Sequence, residues 1–275
     1  MNATASLPKL LERWFTVRLM SQQRVSHNTV CSYRDTFRLL LVFAKKQLGK
    51  QPSTLELEDI DAELISAFLN DLEEHRSISA RTRNLRLTAI QSFFHFLAYE
   101  EPEHSARIQS VLSVPSKRHE QKLIHFLTRT ETVALLASPD RTTWVGRRDH
   151  SLLFLALQTG LRLSELISLD RMSLVLENGA HVRCVGKGRK ERSTPLTQTA
   201  VIMMKTWLSE LPNVAEDILF PTIHGNRLSP DSVQYLVKKY AALASTLCSS
   251  LKRKHVTPHV LRHTAAMELL SAGVD

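Results

Sequence analysis

The chain has 275 residues, 43% hydrophobic and 23% charged, with Lys+Arg 36 against Asp+Glu 27 and a formal net charge of +9. That length holds two domains of ordinary size with a globular composition, and the basic surplus points to a polyanionic partner, most simply nucleic acid. Three cysteines without short spacing argue against a disulfide framework, and neither a signal pattern nor a membrane-length apolar run is present, so a soluble, cytoplasmic protein is expected.

Residues 7–101 read as helical throughout. Leu7, Leu10, Leu11, Trp14 and residues 17–19 form one amphipathic stretch. Ser26 or Asn28 can cap a second helix, whose apolar positions Val30, Tyr33, Phe37, Leu40, Leu41 and Ala44 run to Gly49. A third is predicted over residues 57–75, using Ile60, Leu64, Ala67, Phe68 and Leu72. A fourth starts near Ser79, buries Ile90, Phe93, Phe94 and Leu97, and carries Arg81, Arg83 and Arg86 in its first two turns. Arginines at a helix start oppose the dipole, and an anionic ligand would compensate; a solvated basic helix end is the competing reading. Four short helices predict a bundle that clamps a DNA backbone without reading its sequence.

Residues 100–122 lose the periodicity and carry Pro102 and Pro115, which predicts domains at 1–101 and 123–275 joined by a linker over 102–122. Both domains carry more Lys and Arg than Asp and Glu. The second opens with a capping box, Thr128-Arg129-Thr130-Glu131, ahead of Val133, Leu135 and Leu136. The apolar run of residues 151–157 is long enough for a buried helix, ended by Gly160. Arg162 follows at the mouth of that core, with Glu165 three residues on to hold its guanidinium. A fixed, oriented guanidinium is a phosphate or carboxylate clamp; a structural Arg–Glu pair is the alternative.

The rhythm then changes. Residues 181–185 alternate, Gly186-Lys187-Gly188 turns, and residues 191–196 return, which predicts a β-hairpin with a glycine-flanked lysine near its tip. Arg189 and Lys190 stand beside it, so spacing alone does not select the lysine, and a solvated basic turn is the competing reading. A helix is predicted over residues 197–211, an extended piece over 218–221, and a helix opened by Ser229-Pro230-Asp231 to about residue 244. Thr257-Pro258 opens the last helix, which ends at Gly273 and puts His259 and Arg262 on one face. His255, His259 and His263 raise a zinc site. Val260 stands where a His-Glu-x-x-His helix has its glutamate, and Pro258 breaks the helical face before His259, so neither metal nor cofactor is expected.

Three segments, residues 159–166, 185–192 and 257–263, resemble the tyrosine recombinase (phage integrase) family, its Xer-like members above all, in order, spacing and flanking residues. The likeness runs from about residue 7 to 275. It implies a mainly α fold with a small β-hairpin or sheet (α+β): an N-terminal SAM-like core-binding bundle, then a recombinase catalytic domain. It also implies that Arg162 and Arg262 bind the non-bridging oxygens of the scissile phosphate and that Lys187 protonates the leaving 5′ oxygen. His259 would then assist proton transfer at the nucleophile. Glu165 is the supporting residue that holds Arg162, and Arg81, Arg83, Arg86, Arg189 and Lys190 are the residues expected on DNA. Attack on a phosphodiester builds charge on the equatorial oxygens, which fixed guanidinium donors stabilise.

The resemblance departs in one respect. The family's further histidine, its histidine or tryptophan, and its nucleophilic tyrosine follow the last helix, and the sequence stops at Asp275; Tyr33, Tyr99, Tyr235 and Tyr240 all precede that helix. The expectation is a recombinase lacking its last helices, unable to cut DNA alone. The alternative is a non-catalytic DNA-binding accessory protein derived from one. The partners expected are double-stranded DNA, other copies of the chain in a tetramer on DNA, or an intact recombinase that lends the tyrosine; no membrane is expected.

Overall fold

The structure is a computed structural model, described here for residues 6–120, 125–186, 190–211 and 217–273. The chain divides into two compact units, Met1–Gln121 and Lys122–Asp275.

In the first unit, helix α1 (Leu7–Arg13) runs directly into a π-helical stretch, Trp14–Gln22. The wider turn carries the fully buried Trp14, whose ring stacks on Tyr33 and meets Phe37 and Phe93 edge-on. Helix α2 (His27–Leu48) starts where Ser26 accepts the amide of Thr29 and ends at Gly49, whose φ of 70° is the left-handed C-cap. The third predicted helix is split. A short 3-10 turn, Leu57–Asp59, precedes helix α3 (Ala62–Arg76), because Ile60 is extended and Asp61 accepts the amide of Leu64 as a fresh cap. Helix α4 (Ala80–Glu100) is capped by Ser79 and brings Leu87, Ile90, Phe93, Phe94 and Leu97 into the core.

The segment predicted as a linker is helical in part and packed. It contains helix α5 (Ser105–Leu112), and Ile108, Val111 and Val114 join the first unit's core. Gln91 donates to the carbonyls of Leu112 and Val114, and Asn84 exchanges two hydrogen bonds with the backbone of Lys117. Ile108, Val111 and Leu112 span little more than one turn of an eight-residue helix, too short a run to stand out as a periodic pattern, which is why this element escaped the reading.

The second unit opens on helix α6 (Arg129–Ala137), with the predicted capping box formed between Thr128 and Glu131. Helix α7 (Trp144–Thr159) is its centre: Leu152, Leu153 and Leu155 have no exposed surface. Helix α8 (Leu163–Ile167) is a single short piece after Gly160. Strands β1 (Leu174–Val175), β2 (His181–Val185) and β3 (Glu191–Pro195) form an antiparallel sheet in that order, so the predicted hairpin gains a third strand. Helices α9 (Gln198–Glu210), α10 (Pro230–Leu247) and α11 (Pro258–Ser271) complete the layer around α7.

Polar ties brace this core. Asp149 takes two bonds from the buried Arg148 and one from the Tyr240 hydroxyl, and Trp207 donates to the carbonyl of Leu219. The beginning of the unit is fastened to its end: the Leu127 amide donates to Thr264 Oγ1 on α11, and Lys254 donates to the Phe126 carbonyl and to Glu131. The architecture is mainly α with a small antiparallel sheet, the class expected from the sequence.

Candidate nucleic-acid interface

Gly160 ends α7 at a φ of 59°, in the left-handed region. The chain can then turn within two residues and present Arg162 as the residue capping α8. Glu165, on the first turn of α8, folds back: Oε2 accepts the Arg162 amide at 2.7 Å and Oε1 accepts Arg162 Nη1 at 2.9 Å. The Glu165 side chain is 3% exposed and that of Arg162 44%, so a buried carboxylate holds a guanidinium that still faces outward. Burial acts to raise the Glu165 pKa. The bonds from the Arg162 amide and guanidinium, with the charges of Arg192 and Arg162, outweigh it and leave the carboxyl below its ordinary value.

Arg262 reaches the same place from α11. Its Nη1 donates to the carbonyl of Gly160, two residues before Arg162. Burial lowers the Arg262 pKa most, followed by the positive charges of Arg162 and Arg192, an electrostatic sign that the guanidiniums stand close together. Arginine nevertheless keeps its proton. His259 is exposed on the first turn of α11, one turn before Arg262 on the same face.

The sequence reading missed Arg192. It pairs directly with Cys184 across β2 and β3, donates from Nε to Cys184 Sγ at 3.2 Å, and donates from Nη2 to Glu165 Oε2 at 2.6 Å. The signal was present: within the alternation of β3, Arg192 falls on the inward side with Thr194. The base of the hairpin also meets this cluster. The Gly186 amide donates to the carbonyl of Lys190 at 2.8 Å, and a Cβ at Gly186 would stand 3.5 Å from Glu165 Oε1. Lys190 is exposed, whereas Lys187 and Arg189 lie outside the described residues. Two guanidiniums thus share one carboxylate while the third, that of Arg262, is held by the Gly160 carbonyl, an uncompensated positive charge shaped to receive an anion with several oxygens.

In the first unit the three arginines of α4 part company. Arg81 is exposed, as a backbone contact requires. Arg83 is 5% exposed, with Nε 3.5 Å from Glu73 and Nη1 bonded to the carbonyl of Pro115. Arg86 donates to the Ser32 carbonyl and to Thr36 Oγ1, joining α4 to α2. Arg83 thus spends its charge inside the unit from a buried position, whereas Arg86 is half-buried and bonds these acceptors through Nη1 alone. Helical spacing put the three near one end of α4 but could not show that Arg83 turns inward.

Neither tyrosine of the second unit accompanies the guanidiniums. Tyr240 is buried on Asp149. Tyr235 lines a hollow with Ile223 and Lys239 that includes none of Arg162, Arg192 or Arg262. No described helix is long and apolar enough to cross a membrane.

Two sequence profiles match the chain: the phage integrase family over residues 125–275, and the phage integrase N-terminal SAM-like domain over residues 11–101. A Sinorhizobium fredii protein provisionally assigned as an integrase/recombinase, y4rC, is 55% identical over 275 residues, covering 100% of this chain and 83% of that protein. Tyrosine recombinase XerC of Pelotomaculum thermopropionicum is 33% identical over 271 residues, covering 95% of this chain and 85% of XerC. Among solved structures, the XerH site-specific recombinase bound to palindromic difH substrate superposes with a TM-score of 0.71 at 24% identity, over 91% of this chain and 71% of XerH. A lambda integrase dimer bound to a core site gives 0.68 at 16% identity, over 98% and 92% of the two chains. At those identities the superpositions speak to the fold.

Proposed function

The chain belongs to the phage integrase family of tyrosine recombinases, and from that premise we propose that residues 1–275 grip duplex DNA and seat one backbone phosphate between Arg162 and Arg262. The observation that carries the reading is the Arg262 bond to the Gly160 carbonyl, which brings two guanidiniums from distant parts of the sequence to one turn. Their fixed N–H groups would hold the non-bridging oxygens and stabilise charge that develops on them during phosphoryl transfer. His259, exposed beside Arg262, would exchange a proton with the attacking oxygen, and Lys187 would protonate the leaving one. Arg81 and the exposed Lys190 would add sequence-independent contacts to the phosphate backbone.

The fold neighbours support the partner: XerH is bound to its difH substrate, and lambda integrase is a dimer on a core site. We extend both features to this chain, duplex DNA as ligand and self-association on it, with the cytoplasm as the compartment. Because neither tyrosine of the second unit accompanies the arginines, strand cleavage would draw its hydroxyl from outside that unit or from a partner protomer. Within residues 1–275 the function is DNA binding with a phosphate seat.

The test is a titration of labelled duplex DNA over a range of salt concentrations. Each phosphate contact contributes about 0.9 to the slope of log affinity against log salt, so Arg162→Gln and Arg262→Gln should each remove about that much. Salt-independent binding, or slopes untouched by both substitutions, overturns the reading.

A further inference from the structure

Glu165 is the only carboxylate bonded to the described site arginines, and two of them use it at once. A carboxylate facing one arginine tends to form a fork, with two parallel N–H bonds into its two oxygens. Arg162 does not. Its guanidinium makes one bond, Nη1 to Oε1, while Oε2 is taken by the Arg162 amide and by Arg192 Nη2. Arg192 is itself fixed twice, by Cys184 on the adjacent strand and by Glu165. Its placement therefore belongs to the sheet and does not depend on a ligand.

We propose that Arg192 is a positioning residue for phosphate recognition: by occupying Glu165 Oε2 it keeps Arg162 from folding onto the carboxylate as a fork, and so leaves the outward N–H groups of Arg162 free for DNA. The inference rests on the phosphate seat proposed above. Without Arg192, Glu165 would keep one cationic partner, and Arg162 would gain its second bond by turning inward. Its charge would be neutralised locally and its donors withdrawn from the DNA. Arg192 thus acts through Arg162, without a phosphate contact of its own.

A double-mutant cycle on the full chain separates the cases, with a fluorescent mixed-sequence duplex as probe and the salt slope as readout. Arg162→Gln should lower the slope by about 0.9, roughly tenfold in affinity at 0.1 M salt. Arg192→Gln should lower it by a similar amount, and the double variant by no more than either alone. If the double variant loses twice as much, Arg192 touches phosphate itself and the proposal is wrong. If Arg192→Gln lowers the melting temperature and leaves the slope unchanged, Arg192 is a structural brace and the proposal is again wrong. Should the glutamine variant not fold, Arg192→Met keeps the reach of the side chain without its charge and serves the same cycle. If Arg162→Gln leaves the slope unchanged, the phosphate seat fails first and the inference with it.

Discussion

Arg262 Nη1 donates to the backbone carbonyl of Gly160, so the turn that presents Arg162 and the helix that carries Arg262 are pinned at one atom. The contact is close on the side-chain side as well: a Cβ at Gly160 would meet Ala265 Cβ at 3.3 Å and Arg262 Cγ at 4.0 Å. Gly160→Ala therefore carries two penalties, a left-handed φ of 59° and pressure on α11. Backbone strain alone costs about 1–2 kcal/mol, or a few degrees in melting temperature. DNA affinity measured well below that melting point should fall as well, because α11 carries Arg262. A destabilised variant that binds DNA as tightly as the parent would break the link between this turn and the phosphate seat.

Glu165 sets a pH dependence of known sign. Its folded-state pKa lies below the ordinary glutamate value of 4.5, so its contribution to stability is complete above about that pH. The contribution is lost as pH falls through the lowered folded value, where protonation removes the acceptor shared by Arg162 and Arg192. Glu165→Gln should melt at a lower temperature than the parent at neutral pH, and the gap should narrow as the medium is acidified below pH 4. Thermal melts along that series check it; a gap that stays constant would mean that the carboxylate charge is not what braces the arginines.

The arginines of α4 separate stability from DNA contact. Arg83→Ala removes a buried cation placed between Glu73 and the Pro115 carbonyl; Glu73 keeps Lys117, so the expected loss is about 1–3 kcal/mol, that of acceptors left without their donor. Arg81→Ala should leave stability within about 0.5 kcal/mol, as exposed substitutions do, and lower the salt slope of DNA binding. Chemical denaturation and the same DNA titration, run on both variants, test the assignment. Equal effects of the two substitutions on DNA binding would return Arg83 to the interface.

What was legible in the sequence had a local cause. Caps at Ser26, Ser79, Thr128 and Thr257 each bond the amide three residues on, so helix starts could be read from single residues. Gly160 announced the turn before Arg162 because little else fits a positive φ there. The misses depended on pairing at a distance. Helix α5 shows only when Ile108 and Val111 are seen against the first unit's core, and the fate of Arg83 depends on Pro115, 32 residues away. Arg192 escaped for the same reason: its function follows from a strand register that puts it opposite Cys184 and within reach of Glu165, 27 residues earlier.

Tyr240 provides the last test, because it is the buried tyrosine of the second unit. Its hydroxyl donates to Asp149 Oδ2 at 2.9 Å, and burial, then the Asp149 charge, raise its pKa above the ordinary tyrosine value. A hydroxyl held in that state is a structural donor, since forming its anion beside a carboxylate is unfavourable. Tyr240→Phe leaves Asp149 with one bond fewer and should cost about 1–2 kcal/mol, read as a shift in the denaturant midpoint. Its DNA affinity should equal the parent's under conditions where both are folded. Incubating residues 1–275 with a nicked duplex should give no covalent protein–DNA product. A product that forms and is abolished by Tyr240→Phe would make Tyr240 the nucleophile and show that the buried arrangement opens when DNA binds.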